Sequence, residues 1–276
     1  MGLCWSLARA MDSAVSELPC VDVVIPVFNG RETIQAALAS VLAQQGAWVR
    51  RIIVVDDGSS DDTAKIVQSL RSPLIELVRT PNLGVARARN LGIEKSTAEW
   101  VAFLDADDLW MSDKLQAQLA AAQEHCAGFV CSSVITQSVR RSGPISAKLL
   151  ARGNFVATSS VLVKRSVLQQ ITPVFMPGMS FAEDYLAWLK CVTLTPGHYL
   201  STKLIDYILS THPRYRWGQI LSNLVTLNMR YACFLRQIGT GPTQRLALGW
   251  AVLLGSIRSV LSISKRFIRS YRPGPL

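Results

Sequence analysis

The sequence predicts an α/β architecture: a mostly parallel sheet flanked by helices, with a helical extension at the C-terminal end. Three observations carry this expectation. From residue 21 onward short apolar runs alternate with helical periodicities, the order of strands whose sheet is covered by helices. The runs VDVVIPVF (21–28) and RIIVVDD (51–57) are nearly continuous instead of alternating, which fits strands buried on both faces. Polar residues gather where the runs end, and that edge is the ligand crevice of open α/β sheets.

The first strand contains Pro26, which lacks a backbone donor and therefore places the end of the strand at the sheet margin. Ile34, Leu38, Val41 and Leu42 then recur at helical spacing. After the second strand, Ser60 or Asp61 can cap a helix containing Ile66, Val67 and Leu70. LIELV (74–78) makes a third strand, residues 85–95 a helix, and WVAFLD (100–105) a fourth strand that stops at a cluster of acids. A helix rich in Leu, Ala and Gln follows Ser112, and GFVCSSV (128–134) is a fifth strand. Order weakens over 135–180, where VATSSVLV (156–163) is the clearest strand-like run. Phe181, Tyr185, Trp188 and Leu189 set a helix over 181–191, and two more helices fill 217–238 and 243–271.

With 276 residues, 49% of them hydrophobic and 17% charged, the chain is not disordered, and 17 Gly with 12 Pro exclude collagen-like and low-complexity classes. The net charge of +10 is C-terminal: residues 1–199 hold 18 Lys/Arg against 18 Asp/Glu, residues 200–276 hold 11 against one. The six cysteines form no CxxC pair and no His clusters with them, so they read as reduced packing residues and not as a zinc site. Ser6, Arg9, Asp12, Ser13 and Glu17 interrupt the first twenty residues, which therefore do not read as an export signal.

Four polar clusters fall at strand ends: Asn29; Asp56 and Asp57; Asn82 to Asn90; and Asp105, Asp107 and Asp108. Any one of them suits a turn, but coincidence at four edges points to a site. Asp105 and Asp107, two apart at the end of a buried strand, repel each other, which raises a pKa or calls for a hard divalent cation such as magnesium or manganese. There is no GxxxxGK[ST] loop, so phosphate would be held by metal and cations, with Arg87 and Arg89 the nearest. Glu183 and Asp184 form a second acid pair beside Phe181 and Tyr185, and one of them can serve as a general base toward a hydroxyl. Adjacent helical carboxylates diverge, so at most one normally faces a given pocket.

VDVVIPVFNG, VVDDGSSDDT, NLGVARARNLGI, FLDADD and AEDYLAWLK, in that order and at these distances, resemble the motifs of family 2 glycosyltransferases. The similarity spans roughly residues 21–212. It implies the GT-A type Rossmann-like fold and an inverting transfer from a nucleoside-diphosphate sugar with a divalent metal, Mn2+ or Mg2+. It further implies that Pro26 and Asn29 shape the nucleotide pocket and that Asp57 holds the base, uracil for a UDP-sugar. Arg89 would lie near the diphosphate or sugar, Asp105 would contact the ribose or metal shell, Asp107 would bind the metal, and Asp184 would be the catalytic base. TSSVLVKRS (158–166) resembles, more weakly, a segment lining the acceptor side.

The corresponding domain organisation is an extension (1–19), a glycosyltransferase domain (20–212) with nucleotide (20–110) and acceptor (111–212) halves, and a basic helical region (213–276). Two departures from the family pattern bear on function. The turn reads NGRE without an acid directly after Asn29, and no QxxRW follows the late acids. The second departure, with the absence of long multi-helix membrane spans, favours single-sugar addition over polymer extrusion. The expected acceptor is a glycan or a lipid-linked saccharide, in bacterial surface polysaccharide synthesis.

His212 resembles a late ligand position of some GT-A enzymes but reads as a loop residue. Arg258, Lys265, Arg269 and Arg272 line one side of an amphipathic helix whose apolar lead-in, residues 246–257, is too short to cross a bilayer of ~30 Å. Residues 243–272 are therefore expected to lie on an anionic membrane surface, making the protein cytoplasmic and peripheral on the inner face of the membrane. A sugar nucleotidyltransferase would begin with a Gly-rich loop and Lys, which VIPVFNGRE lacks. A nucleic-acid-binding protein is disfavoured because no RRM, KH or helix-turn-helix pattern accompanies the positive charge.

Overall fold

The computed structural model describes residues 20–46, 48–134, 140–179, 182–206, 217–243, 245–252 and 254. In chain order its strands are β1 (Val21–Val27), β2 (Val49–Asp56), β3 (Ile75–Arg79), β4 (Trp100–Phe103), β5 (Leu109–Trp110), β6 (Phe129–Ser133), β7 (Gly143–Ile145), β8 (Leu162–Lys164), β9 (Gly197–Lys203) and β10 (Ile205–Asp206). Its helices are α1 (Ile34–Leu42), α2 (Thr63–Ser69), α3 (Val85–Lys95), α4 (Lys114–Glu124), α5 (Ala147–Leu150), α6 (Arg165–Leu168), α7 (Glu183–Leu194) and α8 (Trp217–Gln237), with a 3-10 turn at Thr158–Ser160. Eight strands form one sheet in the order β3-β2-β1-β4-β8-β6-β9-β7, and β5 and β10 pair as a separate ribbon.

The first half is the parallel, crossover-connected part: β1 pairs in parallel with β2 and β4, and β2 with β3. In the second half β8 runs antiparallel between β4 and β6, while β6 and β9 are parallel. Alternation along β1 explains the layers. Val21, Val23 and Ile25 point into a core shared with α1, α4 and Val67 of α2. Val24 points to the other face, where Ala86 and Ile93 of α3, Trp188 and its neighbours on α7, and Leu227 and Tyr231 of α8 pack. Both faces are covered, which is why the strand reads as an unbroken apolar run. The polar exception, Asp22, is fully buried and accepts from the N–H groups of Thr97 and Ala98 at 2.6 and 3.0 Å, tying β1 to the loop before β4.

Pro26 lies inside β1, opposite Val55, and not at the side edge of the sheet. The Val24 carbonyl accepts from Leu104 N–H (3.1 Å), so Val24, and by alternation Pro26, face β4. Since β4 ends opposite Val24, the donor that Pro26 lacks faces no ladder partner. The run 156–163 also differs from expectation: Thr158–Ser160 turns as 3-10 before β8 begins at Leu162. Ser160 donates both its N–H and its hydroxyl to the Ala157 carbonyl, at 3.0 and 2.7 Å, and such local bonds compete with a ladder. Helix α2 starts at Thr63, whose N–H is taken by Asp61 at 3.0 Å, whereas the residue at the cap itself, Asp62, makes no capping bond and accepts from Lys65 Nζ instead, at 2.7 Å.

The five described cysteines are free; Cys131 and Cys191 are buried packing residues as expected, while Cys126 and Cys233 are exposed. The predicted extension 1–19, Phe181, His212 and the part of the 243–272 helix beyond residue 254, with Arg258, Lys265, Arg269 and Arg272, lie outside the described residues. Among the described residues no helix is long and apolar enough to cross a membrane.

Helix α3 approaches β1 so closely that a Cβ built on Gly92 would lie 2.3 Å from Val24 Cγ1. Gly92→Ala is therefore expected to destabilise the protein by about 1–3 kcal/mol despite the better helix propensity of Ala, because overpacking a rigid valine outweighs it. A lowered urea midpoint at unchanged slope would report this.

Candidate active site

The loops at the C-terminal ends of β1, β2 and β3 are joined by polar side chains. Asn29, at φ 51°, donates its N–H to the Ser59 hydroxyl (2.8 Å), and its side-chain oxygen accepts from the Ser60 N–H (2.9 Å). The buried Asp56 accepts from Ser59 N–H at 2.8 Å and Arg79 Nε at 2.9 Å. Asp57 spends its carboxylate on the loop before α3, accepting from Thr80 Oγ1 (2.9 Å), Leu83 N–H (2.8 Å) and Gly84 N–H (2.7 Å). Gly84 stands at φ 92°, a backbone conformation that glycine adopts without strain. Asp57 thus positions this loop.

The acidic motifs meet on Arg89. Its helix brings the guanidinium to the end of β4, where Nη2 donates to Asp105 Oδ1 (2.7 Å) and Nη1 to Glu183 Oε1 (3.0 Å), with Phe175 stacked 5.3 Å away. Arg89 is 5% exposed, and burial alone would weaken its charge; Asp105 and Glu183 more than offset that and hold it protonated. Arg87, by contrast, is exposed.

Asp184 belongs to the same cluster. Ala182, at φ 65°, turns the chain into α7, so that Glu183 and Asp184 occupy its first turn. The Asp184 carboxylate accepts from Tyr185 N–H (2.6 Å) and, at 3.4 Å, from the Thr158 hydroxyl. Burial pushes its pKa up to about 7, the Glu183 charge adds to this, and Arg89 and the Tyr185 N–H offset only part. A helix N-terminus favours the charged form by just ~0.3–1 kcal/mol, so desolvation wins here. Behind the cluster, Trp188 packs on Phe103, Phe129 and Phe175 with ring centroids 5.4–5.7 Å apart, fixing α7 against the end of β4.

Beyond β4 the Asp108 N–H donates to the Asp105 carbonyl (3.1 Å), closing a turn with Ala106 and the half-buried Asp107 at its tip. Among the described residues no group of three or more His, Cys, Asp or Glu is arranged to hold a metal. A magnesium-type ion commonly uses one or two carboxylates and completes its shell with substrate phosphate and water. The hard oxygens of Asp107, beside Asp105, fit that donor set.

The predicted residues therefore divide. Arg89, Asp105 and Asp184 converge directly, Asp107 sits on the adjoining turn, and Asn29 and Asp57 organise the neighbouring loops, with Pro26 in the strand beneath. The two late acids diverge as helix geometry requires, yet both serve the cluster, Glu183 through Arg89 and Asp184 through Thr158. Sequence reasoning undervalued Glu183, Thr158 and Ser159; the segment beginning TSS was the available signal for the latter two.

The model of the family described as Glycosyl transferase family 2 matches residues 22–178. The E. coli UDP-Glc:alpha-D-GlcNAc-diphosphoundecaprenol beta-1,3-glucosyltransferase WfaP is 27% identical over 235 residues, 82% of this chain and 89% of its own. Among solved structures, S. aureus TarS 1–349 in complex with UDP-GlcNAc superposes with a TM-score of 0.72 at 18% identity, covering 85% of this chain and 71% of that one. The mannosyltransferase PcManGT from Pyrobaculum calidifontis, in complex with GDP-Man and Mn2+, gives a TM-score of 0.62 at 19% identity over 99% and 82% of the two chains. These likenesses bear out the GT-A architecture, and with the family match spanning more than half of its length, the chain belongs to glycosyl transferase family 2 and is a glycosyltransferase.

Proposed function

We propose that the chain transfers a single sugar, with inversion, from a nucleoside-diphosphate sugar to a hydroxyl of a glycan or lipid-linked saccharide, in bacterial surface polysaccharide synthesis. A UDP-sugar is the favoured donor, since the relative WfaP is named for transfer from UDP-Glc to a diphosphoundecaprenol-linked sugar. The observation that carries the reading is the joint at Arg89, which bonds Asp105 on one side and Glu183 on the other, and so sets the adjacent Asp184, a carboxylate with its pKa raised to about 7, beside the acid turn.

Inversion needs an acceptor hydroxyl activated on one side of the anomeric carbon and the leaving diphosphate stabilised on the other. Asp184 is the base that takes the hydroxyl proton, with a pKa matched to neutral pH. Glu183 and Asp105 hold Arg89, which lies on the diphosphate or sugar side. Asp107 is the carboxylate for a divalent ion, Mn2+ or Mg2+, which when bound supplies charge stabilisation for the departing diphosphate. Asn29, Asp57 and Pro26 shape the nucleotide end, within a nucleotide half over 20–110 and an acceptor half over 111–212.

Support for the membrane surface comes from the C-terminal helices. Met229, Leu246 and Trp250 are 61–65% exposed and line a groove between α8 and helical residues 245–252, together with Arg236 and Arg245. No acid occurs after Asp206. Exposed apolar side chains flanked by cations suit an anionic leaflet, with the protein peripheral on the cytoplasmic side.

Calorimetry against a panel of nucleoside-diphosphate sugars, with and without manganese, tests the donor; no binding by any of them would reject the proposal. Asp184→Asn is expected to lower kcat by ~10²–10⁴-fold with donor affinity largely kept, and Asp107→Ala to abolish metal-dependent donor binding. The wild-type rate should rise with pH through about 7 as Asp184 loses its proton.

Asp184→Asn has a second expected outcome. The raised pKa means that the unfolded chain releases this proton near pH 4 while the folded chain keeps it to about 7. Ionised Asp184 therefore costs stability above that window, so the variant should melt higher than wild type at pH 8, with the gap closing below about pH 4. Truncation after Gly241 is expected to abolish flotation with anionic vesicles, and unchanged flotation would remove the membrane role.

A further inference from the structure

The 3-10 turn Thr158–Ser160 lies between the acid turn at the end of β4 and the start of α7, and its three residues are 5%, 0% and 0% exposed. Ser159 makes three bonds there. Its hydroxyl accepts from the Asp105 N–H (3.0 Å) and donates to Asp108 Oδ2 (2.5 Å), and its carbonyl accepts from the Trp110 indole N–H (2.9 Å). Next to it the Ser160 carbonyl accepts from Gln118 Nε2 (2.7 Å), and Gln118 Oε1 in turn accepts from the fully buried Lys114 amine (2.7 Å). On the other side Thr158 reaches Asp184 at 3.4 Å. Asp108 is 1% exposed, too buried to be a substrate contact, so its carboxylate has a structural task.

We infer that Ser159 is a positioning residue that holds the Asp105–Asp108 turn in register with α7, so that Asp107 is presented to the donor diphosphate while Asp184 faces the acceptor. This rests on the glycosyl-transfer reading above. A hydroxyl is suited to the place because it gives its one proton to a carboxylate and still offers a lone pair to a backbone N–H. Both bonds end on the two residues that bracket the turn, so its tip cannot shift without breaking one of them. The scaffold behind is dry and hydrogen-bonded: Lys114, its amine pushed well below its ordinary range by desolvation, lies 3.9 Å from the Trp110 ring centroid.

The test is UDP binding by calorimetry on the full chain, in manganese and in EDTA, with thermal melts to confirm folding. Ser159→Ala is expected to weaken manganese-dependent UDP binding by at least ~10-fold, as when a residue supporting a metal ligand is removed, and to leave binding in EDTA unchanged. Asp108→Ala should weaken the same manganese-dependent binding, and the losses of the double variant should not multiply, because both single variants remove the Ser159–Asp108 bond, Ser159→Ala the bond from Asp105 N–H as well. Asp108→Asn keeps an acceptor for the hydroxyl and should fall between wild type and Asp108→Ala, which decides the matter even if Ser159→Ala does not fold.

Wild-type affinity in Ser159→Ala, losses that multiply in the double variant, equal losses with and without metal, or an Asp108→Asn as weak as Asp108→Ala would each overturn the inference. Wild-type protein that binds no UDP with manganese would instead overturn the reading of a UDP-sugar donor at this site and the inference with it.

Discussion

One guanidinium organises this molecule. Arg89 is nearly inaccessible to water and lies between Asp105 at the end of β4 and Glu183 at the start of α7, joining three segments far apart in sequence. Without it, carboxylates from both motifs would face one another in a desolvated space, and a buried ion pair that loses one partner typically costs about 3–5 kcal/mol. With it, α7 is tied to the strand carrying the acid turn. The salt bridges fix orientation, while the packing of Trp188 against Phe103, Phe129 and Phe175 supplies the apolar burial that makes the joint rigid.

The same joint keeps Asp184 costly. Ala182 occupies a left-handed conformation unusual for a residue with a Cβ, and the carboxylate that follows is more desolvated than Arg89 and the Tyr185 N–H compensate for. Strain and an under-compensated charge at one helix start are what an acid–base site requires and a purely structural helix cap would avoid. Asp57, Asp56 and Asp22 show the contrast: each is buried and its carboxylate receives several backbone or side-chain donors, so these acids hold loops in place.

Much of this was legible in the residue order. Continuous apolar runs over residues 21–28 and 51–57 announced strands buried on both faces, and β1 and β2 are interior strands of a sheet with helices on either side. Acids at strand ends announced the ligand edge. Pro26 was expected where a strand ends and a missing donor is tolerated, and it is the penultimate residue of β1, past the end of β4. One error has a local cause. The run 156–163 looked like a strand because its alternation of small and branched residues hides serine hydroxyls that prefer local carbonyls. The contacts by which Asp57 also holds the loop of residues 80–84 were not legible, since a sequence does not reveal that this loop folds back onto it.

By itself the sequence determined the layering, the order of the motifs and the chemistry available at each strand end, because periodicity and residue type act over a few neighbours. Only the tertiary structure decided which carboxylates meet at Arg89 and which hold loops. That choice depends on desolvation and on partners 16 to 94 residues away, such as Asp105 and Glu183 on Arg89. It likewise decided that a serine from an otherwise ordinary stretch stands between the two acid motifs, since the burial that gives a hydroxyl such a role is a property of the packed chain.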